Sequence, residues 1–267
     1  MPIAFIGTLV ALGVIGAFVA GLLGVGGALV MIPLLLYVPP LLGVGALDVK
    51  AVSGVTMAQV LIASLSGMLA HRRHKAVSRE LAWVGGTTMA ASAFVGALAS
   101  RFVGDRWLLL VFALMATAAV LVMLAPVELL RPPTPVEPDT FSRRRTIAVT
   151  AGVGLAAGFV GAGGAFLLVP LLLIVVGVPI RVTIGSSLAI TAVASTAGFF
   201  GKLATGQLPL WPALAIVVGA IPGAQLGAAV SRRLDATQLK AVLFVIILIS
   251  ALRVWWDVLF APPPGGP

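Results

Sequence analysis

The sequence predicts an all-α integral membrane protein, a polytopic helical bundle of two repeated and inverted halves with about five segments each. Three observations carry this. Of the 267 residues, 60% are hydrophobic and only 9% charged, whereas a soluble domain must cover itself with polar surface. Several apolar runs reach the roughly 20 residues that cross a bilayer. They are continuous, so they lack the period-two alternation of a membrane β-barrel. Finally, the stretch from Gly21 to Leu36, GLLGVGGALVMIPLLL, returns from Gly158 to Leu173 as GFVGAGGAFLLVPLLL, identical at nine of sixteen positions.

The elements follow in order. Apolar segments are expected at about 3–23, 28–38, 51–70, 81–100 and 107–126, and again at 146–161, 164–177, 182–201, 209–230 and 237–260. The first run has no Lys or Arg ahead of it, so it reads as a retained helix rather than a cleaved signal. Between the halves runs a polar linker, 127–145, with Pro132-Pro133-Thr134-Pro135 and Arg143-Arg144-Arg145, which cannot continue a helix in lipid. It divides an N-terminal transmembrane repeat (1–126) from a C-terminal one (146–267) and is expected to be cytoplasmic. At a shift of 131 residues, Lys50 falls on Arg181, Gly54 on Gly185, Thr56 on Ser187, Ser64 on Ser195, and Ser100-Arg101 on Ser231-Arg232. The glycine motif repeats at a shift of 137, so the first half holds six extra residues near Val38-Pro39-Pro40.

An odd number of segments per half inverts the second copy. With the His71–Lys75 loop placed inside, twelve Lys and Arg fall on inner connections. Five (Lys50, Arg101, Arg106, Lys202 and Arg253) fall outside, the bias that orients membrane proteins. The second segment of each half spans only about 16–21 Å as one helix, so it is expected to be short or broken at the glycine-rich loop, and the orientation holds if it crosses. A glycine-and-proline break recurring in both halves is a pointer to a transporter's binding site.

Composition also excludes. The net charge of +9 sits in short clusters between apolar runs, which fits topology and not nucleic-acid binding. Zero cysteines rule out disulfides, thiol catalysis and Cys-ligated metals. All eight acidic residues lie at segment ends or in loops, where no mid-membrane proton relay or cation site can use them. His71 and His74 stand in a basic loop and read as solvated charge. No phosphate-binding loop for ATP is present, and no metal, cofactor or enzymatic activity is expected.

The doubled Gly-x-x-Gly-x-Gly-Gly motif with proline six residues on, followed by the Gly54/Thr56 and Gly185/Ser187 segments, resembles the TauE/SafE family of sulfite and organosulfur exporters. The resemblance covers nearly the whole chain and implies a bacterial inner-membrane permease for small sulfur-containing or carboxylated anions. At Ala28 and Ala165 members of that family often carry a further glycine.

The residues suggest how an anion would be held. Gly24, Gly26 and Gly27, with Gly161, Gly163 and Gly164, allow positive φ and close backbone approach, and a new helix should begin near Ala28 and Ala165. Its first amides lack intrahelical acceptors and carry the positive end of the dipole, which suits an oxyanion. The alternative is that the glycines only let helices pack closely. Thr56, Gln59, Ser64 and Ser66 follow the first motif, and Ser186, Ser187, Thr191, Ser195 and Thr196 follow the second. They line an anion path or bond their own helix carbonyls; Thr56, Ser186, Ser187 and Thr191 are the binding candidates. Lys50 and Arg181 are candidates for attracting or gating the anion, or are interfacial anchors. Pro33 and Pro170 are expected to mark the helix break. The expected partners are a small anion and the lipid bilayer, with a homodimer open through small-residue faces such as Gly152-x-Gly154 and Gly219-(x)3-Gly223-(x)3-Gly227. A channel, an uptake carrier for another anion such as a carboxylate, and a non-transporting membrane scaffold are the competing readings.

Overall fold

The computed structural model describes residues 3–72, 77–124, 141–231 and 233–260, except for the side chains of residues 70–72, 180, 181, 236, 240 and 257. Most of the linker and the centre of the His71–Lys75 loop lie outside the described residues. Ten helices are described: α1 (Ile3–Leu23), α2 (Ala28–Leu41), α3 (Val49–Arg72), α4 (Arg79–Ala99), α5 (Asp105–Leu124), α6 (Arg143–Val160), α7 (Ala165–Leu171), α8 (Ile180–Ala204), α9 (Leu210–Ser231) and α10 (Ala236–Phe260). Seven of them are long and apolar enough to cross a membrane. The outside is greasy: Trp83, Trp107, Trp211 and Trp256, each near a helix end, are exposed, as in the aromatic belts of membrane proteins.

Several helix starts are written in the sequence. Asp48 Oδ1 accepts from Ala51 N at 2.8 Å and opens α3. Ser78 and Ser142 cap α4 and α6, so α6 begins at Arg143, three residues ahead of the expected segment. Pro33 and Pro170 do not break the chain: each lies inside its helix, because the lost hydrogen bond and the bend of a proline are sustained in membrane helices by packing and local adjustment of the turn. The breaks are at the glycines. Helix α2 runs on through Pro39-Pro40 to Leu41, three residues past the expected end, whereas after Pro170 the helix widens into a π-turn, Leu172–Val176.

Glycine decides which helices pack together. A Cβ on Gly21 would strike the Ala224 carbonyl, and one on Gly227 the Phe18 carbonyl, so α1 and α9 touch backbone to backbone. The same pair recurs between α6 and α4: Gly158 on the Ala93 carbonyl and Gly96 on that of Leu155, each displaced by the repeat shifts of 137 and 131. The four-helix groups are therefore α1, α2, α3 with α9, and α6, α7, α8 with α4. Each half lends its fourth helix to the other. Helices α5 and α10 pair at the side, joined by Trp255 Nε1 donating to Thr117 Oγ1 at 2.7 Å. Gly154, Gly219, Gly223 and Gly227 are all consumed within the chain, while Gly152 has nothing nearby.

The contacts also give direction. Gly67 meets Leu188, and Gly198 meets Met57, so the equivalent helices α3 and α8 run antiparallel. Along α1 and α9, Val10, Val14 and Phe18 meet Gly219, Gly223 and Gly227 in rising order. Along α3 and α9, Gly54 meets Gln207 and Leu208, and Ser66 reaches the Ile221 carbonyl. Both α1 and α3 are thus parallel to α9, and residues 24–48 must carry the chain back between them.

A contrast of neighbours tests this packing. Gly154→Ala, whose Cβ would lie 2.6 Å from the Met89 carbonyl and against Ser92, should cost about 1–3 kcal/mol. Gly152→Ala is exposed and unopposed and should be neutral or stabilising by up to ~1 kcal/mol. Melting of the detergent-purified proteins decides. Equal melting temperatures would mean that α4 and α6 do not meet at Gly154.

Candidate functional site

The two glycine loops meet at the middle of the bundle. Gly24, Gly26 and Gly27 have φ of 73°, 73° and 78°, and Gly161, Gly163 and Gly164 have 80°, 62° and 70°, the left-handed region that side chains disfavour. Each loop leans on the helix after the other loop: Gly24 packs on Ile184 of α8, and Gly161 on Ser53 of α3. At the centre, a Cβ on Gly26 would lie 3.2 Å from Val60 Cγ1, 3.5 Å from Ala165 Cβ and 3.6 Å from Thr191 Cγ2. Gly163 faces the same Val60 and Thr191, which occupy equivalent positions in the repeat.

Gly27 and Gly164 are the N-cap residues, and Ala28 and Ala165 begin the helices, both fully buried. Val30 N and Met31 N bond the Gly27 carbonyl at 3.2 and 3.0 Å, and Leu167 N and Leu168 N bond that of Gly164 at 3.1 and 2.9 Å. The earlier amides of each turn have no carbonyl one turn back to donate to. Two helix N-termini, with their partial positive charge, therefore start close together at the centre of the protein.

The hydroxyls divide. Thr56 Oγ1 and Thr191 Oγ1 are fully buried without a protein partner. Ser187 Oγ is spent on the backbone, reaching the Gly24 carbonyl at 3.0 Å and that of Ile184 at 2.9 Å; it ties the first loop to α8. Ser186 Oγ points elsewhere and accepts from Ser78 N at 3.0 Å, so it holds the start of α4 and is not at the centre. Ser195 bonds the Thr191 carbonyl of its own helix at 2.6 Å, and Thr196 that of Ala192 at 2.8 Å. Lys50 stands at the α3 end of the bundle, with Nζ donating to the Arg101 carbonyl at 3.5 Å. Arg181 lies in the first turn of α8; its side chain is outside the described part.

Two further residues join the centre. Gln59 is fully buried, and neither its Oε1 nor its Nε2 has a protein partner; Nε2 would lie 2.9 Å from a Cβ on Gly27. Ser53 Oγ is likewise unpartnered and abuts Gly161. Leaving a buried polar group unbonded costs about 1–3 kcal/mol, and here five such atoms gather on α3 and α8 beside the loops. Gln59 was legible as a polar residue of the stripe after the motif. Ser53 carried a weaker signal, its i, i+3, i+6 spacing with Thr56 and Gln59.

Two half-helices that meet N-terminus first at a buried polar centre, inside a bundle of long apolar helices, define a multi-pass membrane transporter. The sequence profile of the family described as "Sulfite exporter TauE/SafE" matches residues 9–254, and the chain belongs to that family. It is 31% identical over 254 residues to a probable membrane transporter protein of Xylella fastidiosa, covering 91% of this chain and 92% of the relative. It is 24% identical over 270 residues to the probable membrane transporter protein YunE of Bacillus subtilis, covering 95% and 98%. No solved structure matches.

Proposed function

We infer that the protein is a secondary permease of the bacterial inner membrane, and not an enzyme. It moves a small anion such as sulfite or an organosulfonate by alternating access. The observation that carries this is the meeting of two glycine-capped helix N-termini at Val60 and Thr191, beside the unpartnered Thr56, Gln59 and Thr191. Amides, an amide side chain and hydroxyls hold an anion without a counter-charge that would trap it. The antiparallel run of α3 and α8 supports an inverted repeat, with one loop reaching the centre from each side of the membrane.

The test is counterflow in proteoliposomes, with labelled sulfite, thiosulfate, sulfoacetate, acetate and lactate as cargo. The expected result is saturable exchange of one class of anion. Flux without saturation or exchange would make the path a pore, and no flux of any anion would overturn the permease.

A further inference from the structure

We propose that the cleft at the Lys50 end of α3 is an anion vestibule, joined to the glycine centre by the polar stripe Ser53, Thr56 and Gln59. The inference rests on the anion reading above and adds where the ion first binds and from which end this conformation admits it.

The cleft has a volume of about 400 Å³ and is lined by Asp48, Lys50, Arg101 and Gln207 among others. Asp48 caps α3 and keeps its charge, so the lining sets two cations against one carboxylate. Behind Gln207 lies Lys202, fully buried. Its Nζ donates to Ser100 Oγ at 2.8 Å, Gln207 Oε1 at 3.0 Å and the Phe159 carbonyl at 3.1 Å. These three acceptors are neutral and match the three hydrogens of an ammonium, so they would solvate a charge there and supply no counter-charge. An ionisable group kept at a helix end inside a membrane protein is expensive, and such groups mark ion pathways. Lys50 and Arg101 at the rim and Lys202 behind Gln207 outnumber the nearby carboxylates, Asp48 in the lining and Asp105 close to Asp48 and Lys50. An excess of basic groups at a walled cleft raises the local concentration of small anions.

The polar side chains that lead inward lie on one side. Phe159 lies two residues before Gly161, which packs on Ser53, one turn inside Lys50. Ser53, Thr56 and Gln59 follow at i, i+3 and i+6, neighbours along one helix, and all three carry unpartnered buried polar atoms. The equivalent positions on α8 are Ile184, Ser187 and Ile190. Two are apolar, and the third spends its hydroxyl on backbone carbonyls. The unpartnered polar stripe therefore leads from the centre toward the Lys50 end and is not repeated at the equivalent positions of α8.

The experiment measures equilibrium binding of sulfite and acetate to the purified protein, and their initial flux in proteoliposomes, for wild type, Lys50→Gln/Arg101→Gln and Lys202→Met. At roughly 0.01 M ionic strength the rim double variant should need about tenfold more anion for half-saturation, an effect that shrinks toward 0.15 M as screening sets in. Lys202→Met should do the same with weaker salt dependence. The rim variant touches only the surface and keeps the test independent of folding at Lys202. Wild-type binding and flux with an unchanged rim variant would overturn the vestibule alone. A wild type that neither binds nor moves an anion would overturn the vestibule together with the permease.

Discussion

Gln59→Leu should make the protein more stable and a worse transporter. The amide is buried with its donors and acceptor unbonded. An apolar side chain of similar size therefore removes a desolvation cost of about 1–3 kcal/mol and should raise the melting temperature by a few degrees. The same change deletes a hydrogen-bond donor beside the Gly27 N-cap. For a charged ligand that loss is worth about 1.5–3 kcal/mol, or roughly 10- to 100-fold in affinity. Thermal melting and anion flux on one preparation read both signs. A destabilised Leu variant would show that the amide has a structural partner. Unchanged flux would remove Gln59 from the site.

Gly163→Ala should reduce transport more than Gly26→Ala, its counterpart in the other loop, for two separable reasons. Its φ of 62° costs an L-residue about 1–2 kcal/mol, and its Cβ would fall on Val60 Cγ1. Gly26→Ala has the same backbone strain, but its nearest neighbour would be 3.2 Å away, so it should be milder. Val60→Ala removes the clash and leaves the strain. The double variant Gly163→Ala/Val60→Ala should therefore recover most of the flux, and the shortfall measures the strain. A double variant as inactive as Gly163→Ala would mean that backbone conformation, not room, is what the site requires.

Much of this was readable before any coordinates, and the reasons differ by element. Composition placed the long helices within a few residues, because lipid makes apolar length the dominant signal. The doubled glycines located the centre, since three departures into left-handed backbone in each loop need residues without a Cβ. Partner choice could not be read. Gly21 and Gly227 look like any small residues in an apolar run, and only the packing shows that they serve α1 against α9. Ser187 and Thr56 are equivalent in sequence, yet one hydroxyl is tied to Gly24 and the other is unbonded, a difference set by contacts across the halves. Lys202 looked like an orienting charge near a helix end. Its burial depends on Ser100 and Gln207, over a hundred positions before it and five after.

The loan of α4 and α9 between halves bears on how such a chain assembles. Neither half holds a complete set of neighbours for its own first helix: the groove of α1 is filled by α9, and that of α6 by α4. A half made alone would present backbone-lined grooves to lipid, with no partner to fill them. The two halves therefore have to assemble on one another, α9 closing on α1 and α4 on α6. The glycine loops meet on the seam between the halves, so the residues of the candidate site come from both and neither half holds the set alone.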